Sequence, residues 1–209
     1  MKTQDLIEGL SLQGAQVPAP SSAGLRWPVL AAVVVSLLVC ALTFGVDARW
    51  PQWLLTWPYA FKAGLALLVL VLASRVWPRL MSPGRSAWSA LPWLAGVWAL
   101  ALLMAAGLSS SVAPTEAVFQ GTWRTCALSI LALSVPVWFA LRRWARAHAP
   151  TQLRQTGAWM GALAASWGAL VYSLHCTEFA PAFVAVWYGA ALMLGASLSA
   201  WVAPRMLRW

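Results

Sequence analysis

Six apolar runs, each close to the roughly 20 residues a helix needs to cross a bilayer, constrain this chain more than any other feature. They fall at about 27–46, 57–76, 88–108, 123–141, 157–176 and 181–202. Lipid offers no partner to an open backbone N–H or C=O, so each run must be helical. Composition agrees: 61% of the residues are hydrophobic and 9% charged, where an average soluble domain carries about 25% charge. The 16 tryptophans point the same way, because indoles favour the headgroup region. The pattern predicts an all-α membrane protein of six transmembrane helices with a short segment ahead of them.

The formal net charge of +9 is not the mark of a nucleic-acid-binding face, because the arginines are dispersed at the ends of apolar runs. Their distribution sets an orientation instead. With the N-terminus inside, the cytoplasmic set is Lys2, Arg26, Arg75, Arg79, Arg85, Arg142, Arg143, Arg146, Arg154, Arg205 and Arg208. The outer set is Arg49 and Arg124, joined by the acids Asp47, Glu116 and Glu178. This is the positive-inside pattern, and it puts both termini in the cytoplasm. Lys62 lies one turn inside the second run, where its stem is expected to snorkel outward.

Residues 1–26 form a cytoplasmic segment and linker, and residues 27–209 the membrane domain. The start of the chain is polar and carries no secretory signal. Leu6, Ile7 and Leu10 recur at helical spacing beside Asp5 and Glu8, so residues 5–12 read as a short amphipathic helix. Residues 17–24, with two prolines and a glycine, read as a linker. Such a segment is either a solvated tail or a helix that folds on a partner.

Chemistry-bearing side chains are few, and they gather in the sequence between 172 and 188. His175, Cys176 and Glu178 stand between the fifth and sixth runs, on the outer side, and Cys126 opens the fourth run on that side. From 157 to 176 is about 28 Å of helix, and from 142 back to 126 about 24 Å, so the two sulfurs share a depth. They can pair as a disulfide, ligate a soft metal, or simply pack. His175 and Cys176 are adjacent and point about 100° apart on a regular helix, so joint ligation needs the helix to fray. Cys40, about 20 Å up the first helix, reads as a small apolar filler. His148 reads as solvated, Tyr188 as packing, and Gly161, Gly189 and Gly195 as close-approach positions between helices.

No Ser/His/Asp set, phosphate-binding loop or paired buried carboxylates suggest catalysis. The absence of Cys-x-x-Cys argues against a thiol oxidoreductase, and a lone peripheral Lys62 makes a poor ion pathway. A small polytopic transporter or metal exporter stays as the alternative class.

Several short motifs carry a resemblance. Tyr172-x-x-His175-Cys176-x-Glu178, then Phe183-x-x-x-Trp187-Tyr188 and the terminal Arg205-x-Leu207-Arg208-Trp209 resemble the NrsF-type (DUF1109) membrane anti-sigma factors. Asp5-Leu6-Ile7, Tyr59-x-Phe61-Lys62, Pro83-Gly84, Trp123-Arg124-x-Cys126 and Ala149-Pro150 support it. Where that family has Arg-Pro-Asp before the second helix, this chain has Arg49-Trp50-Pro51-Gln52. The resemblance implies a multi-pass bacterial inner-membrane protein that is not an enzyme and does not bind nucleic acid directly. It would sequester an extracytoplasmic-function (ECF) sigma factor through Asp5, Leu6, Ile7, Glu8 and Leu10. Cys126 and Cys176, with His175 and Glu178 beside them, would sense metal or redox stress. It implies no resident cofactor, only a transient zinc, copper or cadmium-type ion as signal.

Overall fold

The computed structural model describes residues 3–14, 23–82, 86–108, 114–119, 121–148 and 150–208. Among them every regular element is helical. Residue Leu10 lies in a described helix, but its side chain does not belong to the described set; most of the 17–24 linker, Arg85, Pro83-Gly84, Ala149, Lys2 and Trp209 also fall outside.

The expected short N-terminal helix is present as α1 (Thr3–Gly14), with Leu6 and Ile7 exposed. α2 (Ala23–Thr43) starts ahead of the expected boundary at 27, taking in residues read as linker; Pro28 is tolerated in its second turn, where few backbone bonds are lost. A single turn, α3 (Trp50–Trp53), precedes α4 (Trp57–Val76), which tightens into a 3₁₀ turn at Trp77–Met81. α5 (Leu91–Leu108) and the short α6 (Pro114–Val118) lead to α7 (Trp123–Ala147) and α8 (Leu153–Tyr172). The last helix, α9 (Pro181–Met206), contains a π-helical turn at Val184–Tyr188.

Among the described residues five helical stretches are long and apolar enough to cross a membrane: Gly24–Thr43, Trp57–Met81, Trp88–Leu108, Thr115–Ala147 and Pro181–Met206. The expected fifth run is also a helix, α8, but it ends at Tyr172 instead of 176 and falls short on apolarity. Its position explains why. From Gln155 to Tyr172 every residue except Trp167 and Leu170 is buried, enclosed by α4, α7 and α9. A helix that touches protein on all sides needs small residues for close approach more than it needs large apolar ones. A Cβ on Gly161 would strike the Gly195 carbonyl of α9, and one on Gly168 the Ile130 carbonyl of α7. The outer helices, by contrast, expose Val34, Leu38, Leu42, Leu103 and Leu128, a surface suited to lipid rather than water.

Polar side chains lock the bundle where they can be satisfied. The Ser36 hydroxyl of α2 donates to the Leu133 carbonyl of α7 at 2.8 Å. Trp138 Nε1 donates to Ser199 Oγ at 2.7 Å, joining α7 to α9. Buried Gln155 accepts the Ala87 N–H at 2.6 Å and so fixes the approach to α5. His148, expected to be solvated, is half-buried against Trp144, ring centroids 3.9 Å apart, with Nδ1 2.8 Å from the Trp144 carbonyl. Stacking on an indole is open to it because Trp144 itself leans on buried Trp77.

Candidate functional site

At one end of the bundle α7 begins and α8 ends, and the two cysteines meet there. Cys126 sits in the first turn of α7, its N–H bonded to the Thr122 carbonyl at 2.9 Å. After Tyr172 the chain leaves α8 in a tight turn: the N–H groups of His175 and Cys176 both return to the Tyr172 carbonyl at 3.0 Å. That turn frays the helix between His175 and Cys176, as joint use of the two residues requires, but sends them to different neighbours. Both sulfurs are buried and unbridged, close enough that each thiol governs the ionisation of the other.

The sequence reading of Lys62 is overturned here. Its side chain does not snorkel outward. It is fully buried, and Nζ donates to the Cys176 carbonyl at 2.7 Å. The ammonium also lies over the ring of Phe179, 4.6 Å from the centroid, and 5.4 Å from that of Tyr188. Among the described residues no carboxylate comes within ion-pair distance of it. A carbonyl, two π faces and a nearby sulfur replace the water a snorkelling lysine would seek. Nothing in the sequence pairs Lys62 with residue 176, although it stands in one of the motifs carrying the family resemblance.

Tyr188, read as packing, is buried at the π-helical turn of α9. Its hydroxyl is buried without a hydrogen-bond partner, and its ring meets Tyr172, centroids 6.4 Å apart. The turn is held by α5, where Trp98 Nε1 donates to the Ala185 carbonyl at 2.8 Å. Gly189 makes this possible, since a Cβ there would collide with the Trp98 ring. π turns of this kind widen a helix locally and recur at functional positions.

The remaining candidates surround the sulfurs without joining them. His175 Nδ1 lies 3.1 Å from the Gly45 carbonyl and therefore carries its hydrogen there, while the ring packs on Phe44 and Tyr172. The Glu178 carboxylate lies against Gly121, whose φ of +34° and missing Cβ leave room for it. Asp47 binds the Arg49 guanidinium, 3.0 Å from Nη2. Among the described residues no three His, Cys, Asp or Glu side chains converge as a metal site. A recess of about 360 Å³, lined by Phe44, Asp47, Thr122, His175 and Cys176, opens onto this end of the bundle.

Charge in the site is uneven. The Cys176 thiol is brought down to about 5, first by the neighbouring Cys126 thiol, against the opposing effect of burial, and then by the Lys62 charge. Glu178 is pushed up by burial and by the sulfur charge beside it. Asp47 is held below the usual carboxylate range by its bonds to Arg49. The arrangement is therefore one activated sulfur with a second thiol beside it, beneath a solvent-facing recess.

Cys40 stands apart. It is buried within α2, its sulfur 3.9 Å from the Val171 carbonyl, in keeping with an apolar filler. On α1, Leu6, Ile7 and Glu8 are exposed, and Asp5 lies in its first turn.

Comparison with known proteins covers the whole chain. Residues 11–209 match the NrsF family, described as "Negative regulator of sigma F". The "Probable anti-sigma-F factor NrsF" of Azospira oryzae is 32% identical, and the "Anti-sigma-F factor NrsF" of Caulobacter vibrioides 30% identical, each over 100% of both chains. No solved structure matches.

Proposed function

The chain belongs to the NrsF family, a regulatory and non-enzymatic class, and from that premise we propose that it is an anti-sigma factor gated by the Cys126–Cys176 pair. In this reading six helices, α8 included, span a bacterial inner membrane with both termini in the cytoplasm. Residues 1–26 hold an ECF-type sigma factor beneath it. Leu6, Ile7 and Leu10 would fill an apolar groove on that partner, with Asp5 and Glu8 at its edge.

One observation supports the gate above the rest: two thiols remote in sequence are buried as close neighbours, at the end of the bundle opposite the start of α2. A fully buried pair of thiols is chemically idle unless something reaches it, and the recess at Cys176 provides the approach. The signal that fits best is a two-electron oxidant of the peroxide class. The Cys176 thiolate attacks one peroxide oxygen, the O–O bond breaks, and hydroxide leaves to give a sulfenic acid. Cys126 then attacks that sulfur, its proton and the hydroxyl departing as water, and the disulfide forms. A divalent cation fits less well, since the Lys62 ammonium stands beside the sulfurs and, among the described residues, no third donor converges on them.

Bridging the sulfurs ties the start of α7 to the turn after α8. Release follows only if the bridged arrangement has lower affinity for the sigma factor, since a ligand indifferent to the two states shifts nothing. Couplings of this kind run to about 1–3 kcal/mol, or roughly 5- to 150-fold in affinity. The test is co-purification of the full-length membrane-inserted chain with a sigma factor, before and after peroxide or cadmium. Peroxide should release the factor from the wild type and not from Cys126→Ser/Cys176→Ser. Release from the double variant would remove the thiols from the mechanism, and release by cadmium alone would make the signal a metal.

A transporter remains the competing class. Among the described residues Lys62 is the only fully buried charge, and its engagement by a carbonyl and two rings does not outline a solute path.

A further inference from the structure

The two cysteines are placed differently: Cys176 lines the recess and Cys126 does not, and a buried lysine is anchored on the segment that carries Cys176. Lys62 reaches across from α4 to the turn that follows α8, an approach that a lone cation in a membrane helix makes only when something there stabilises it. Its Nζ is fixed by the Cys176 carbonyl at 2.7 Å and by the rings of Phe179 and Tyr188. All three anchors belong to residues 176–188, so the ammonium is held against the one cysteine that this segment carries.

We propose that Lys62 is a positioning residue that makes Cys176 the attacking thiolate and leaves Cys126 as the resolving thiol. This deepens the thiol-gate reading and rests on it for its purpose, though not for its chemistry. A thiolate in a low-dielectric site needs a counter-charge and donors. Cys176 has the Lys62 ammonium, whose Nζ lies 2.7 Å from the residue's own carbonyl. Cys126, by contrast, is buried and does not line the recess, so it meets the sulfur of Cys176 only after the oxidant has. The other charged or titratable groups facing Cys176 are Glu178, held by burial nearer its neutral form, and Tyr172 on α8. The thiolate balances the buried ammonium, so the pair is neutral as a unit and tolerable at the membrane edge. Without Lys62 the thiolate would lose its only full opposite charge among the described residues.

The roles are separable by alkylation. The full-length chain in membrane vesicles is treated with iodoacetamide from pH 4.5 to 9.5, and each cysteine is read separately by mass spectrometry. In the wild type Cys176 should react first, with a midpoint near 5, and Cys126 should lag throughout. Lys62→Met should raise the Cys176 midpoint by about two units, slowing its alkylation at pH 6 about tenfold. Lys62→Arg, which keeps the charge, should restore an acidic midpoint. A wild-type Cys176 midpoint at the ordinary thiol value of about 8.5, or Cys126 reacting first, overturns the assignment without recourse to any variant. An unchanged profile in Lys62→Met overturns it as well. The outcome is independent of sigma release: an ordinary Cys176 beside thiol-dependent release removes Lys62 from the account and leaves the gate. An acidic Cys176 beside release indifferent to the thiols does the reverse.

Discussion

Lys62 and Cys176 show how a single buried contact governs what a side chain does. A lysine one turn inside an apolar helix is expected to reach for water; here a carbonyl, two aromatic faces and a sulfur lie closer and are already in place. The lowered Cys176 thiol has a consequence for stability, with a definite sign. Its folded value lies below its unfolded one, so its contribution is present in full above the unfolded value of about 8.5. It declines as pH falls through the interval between the two and is gone below about 5. The apparent melting temperature of the detergent-solubilised chain should therefore rise from pH 5.5 to 8.5. That slope should flatten in Cys176→Ala, which a pair of thermal scans would show. Cys40→Ala, inside α2 and remote from the recess, should leave the slope and the peroxide response unchanged.

At the scale of elements, the contact between α8 and α9 depends on small residues. Gly161 lies on the Gly195 carbonyl and Gly157 on Ala203, so side chains there force the helices apart. Gly161→Leu should cost about 1–3 kcal/mol by overpacking, read as loss of folded protein in a denaturant titration. α1 belongs to the same scale. Deleting residues 3–14 should abolish sigma binding while leaving the bundle folded, because its apolar positions Leu6 and Ile7 are exposed rather than packed on the helices. Unchanged co-purification would place the binding surface elsewhere. The apolar runs were legible because period and length are local properties of sequence: five of the six expected spans are plain in the structure. The end of α8 at Tyr172 was not, since the turn to Cys176 is closed by bonds to a carbonyl that any residue could offer. Pairing of Cys126 with Cys176 was legible as shared depth. Lys62 and Tyr188 were not, because each owes its role to a neighbour more than 10 residues away in sequence or to a π turn that leaves no pattern.

For the whole molecule, Asp47, Glu178, Cys126 and Cys176 gather at one end of the bundle, and Arg26 and Trp77 line an apolar groove at the other. With the N-terminus inside, a membrane-impermeant maleimide should reach a cysteine placed at Thr177 in intact cells. It should reach one placed at Ser11 only after lysis. The opposite pattern would invert the molecule and separate the thiols from any extracytoplasmic signal.

α8 bears on how the protein is made. A helix this poor in large apolar residues partitions weakly into lipid by itself, since insertion follows hydrophobicity along the segment as it emerges. In the six-span reading proposed above, α8 would enter with α9 as a hairpin, held by the close approach of Gly161 and Gly195. A chain halted near residue 176 should leave α8 outside the bilayer, open to protease, and only extension through 206 should shelter it.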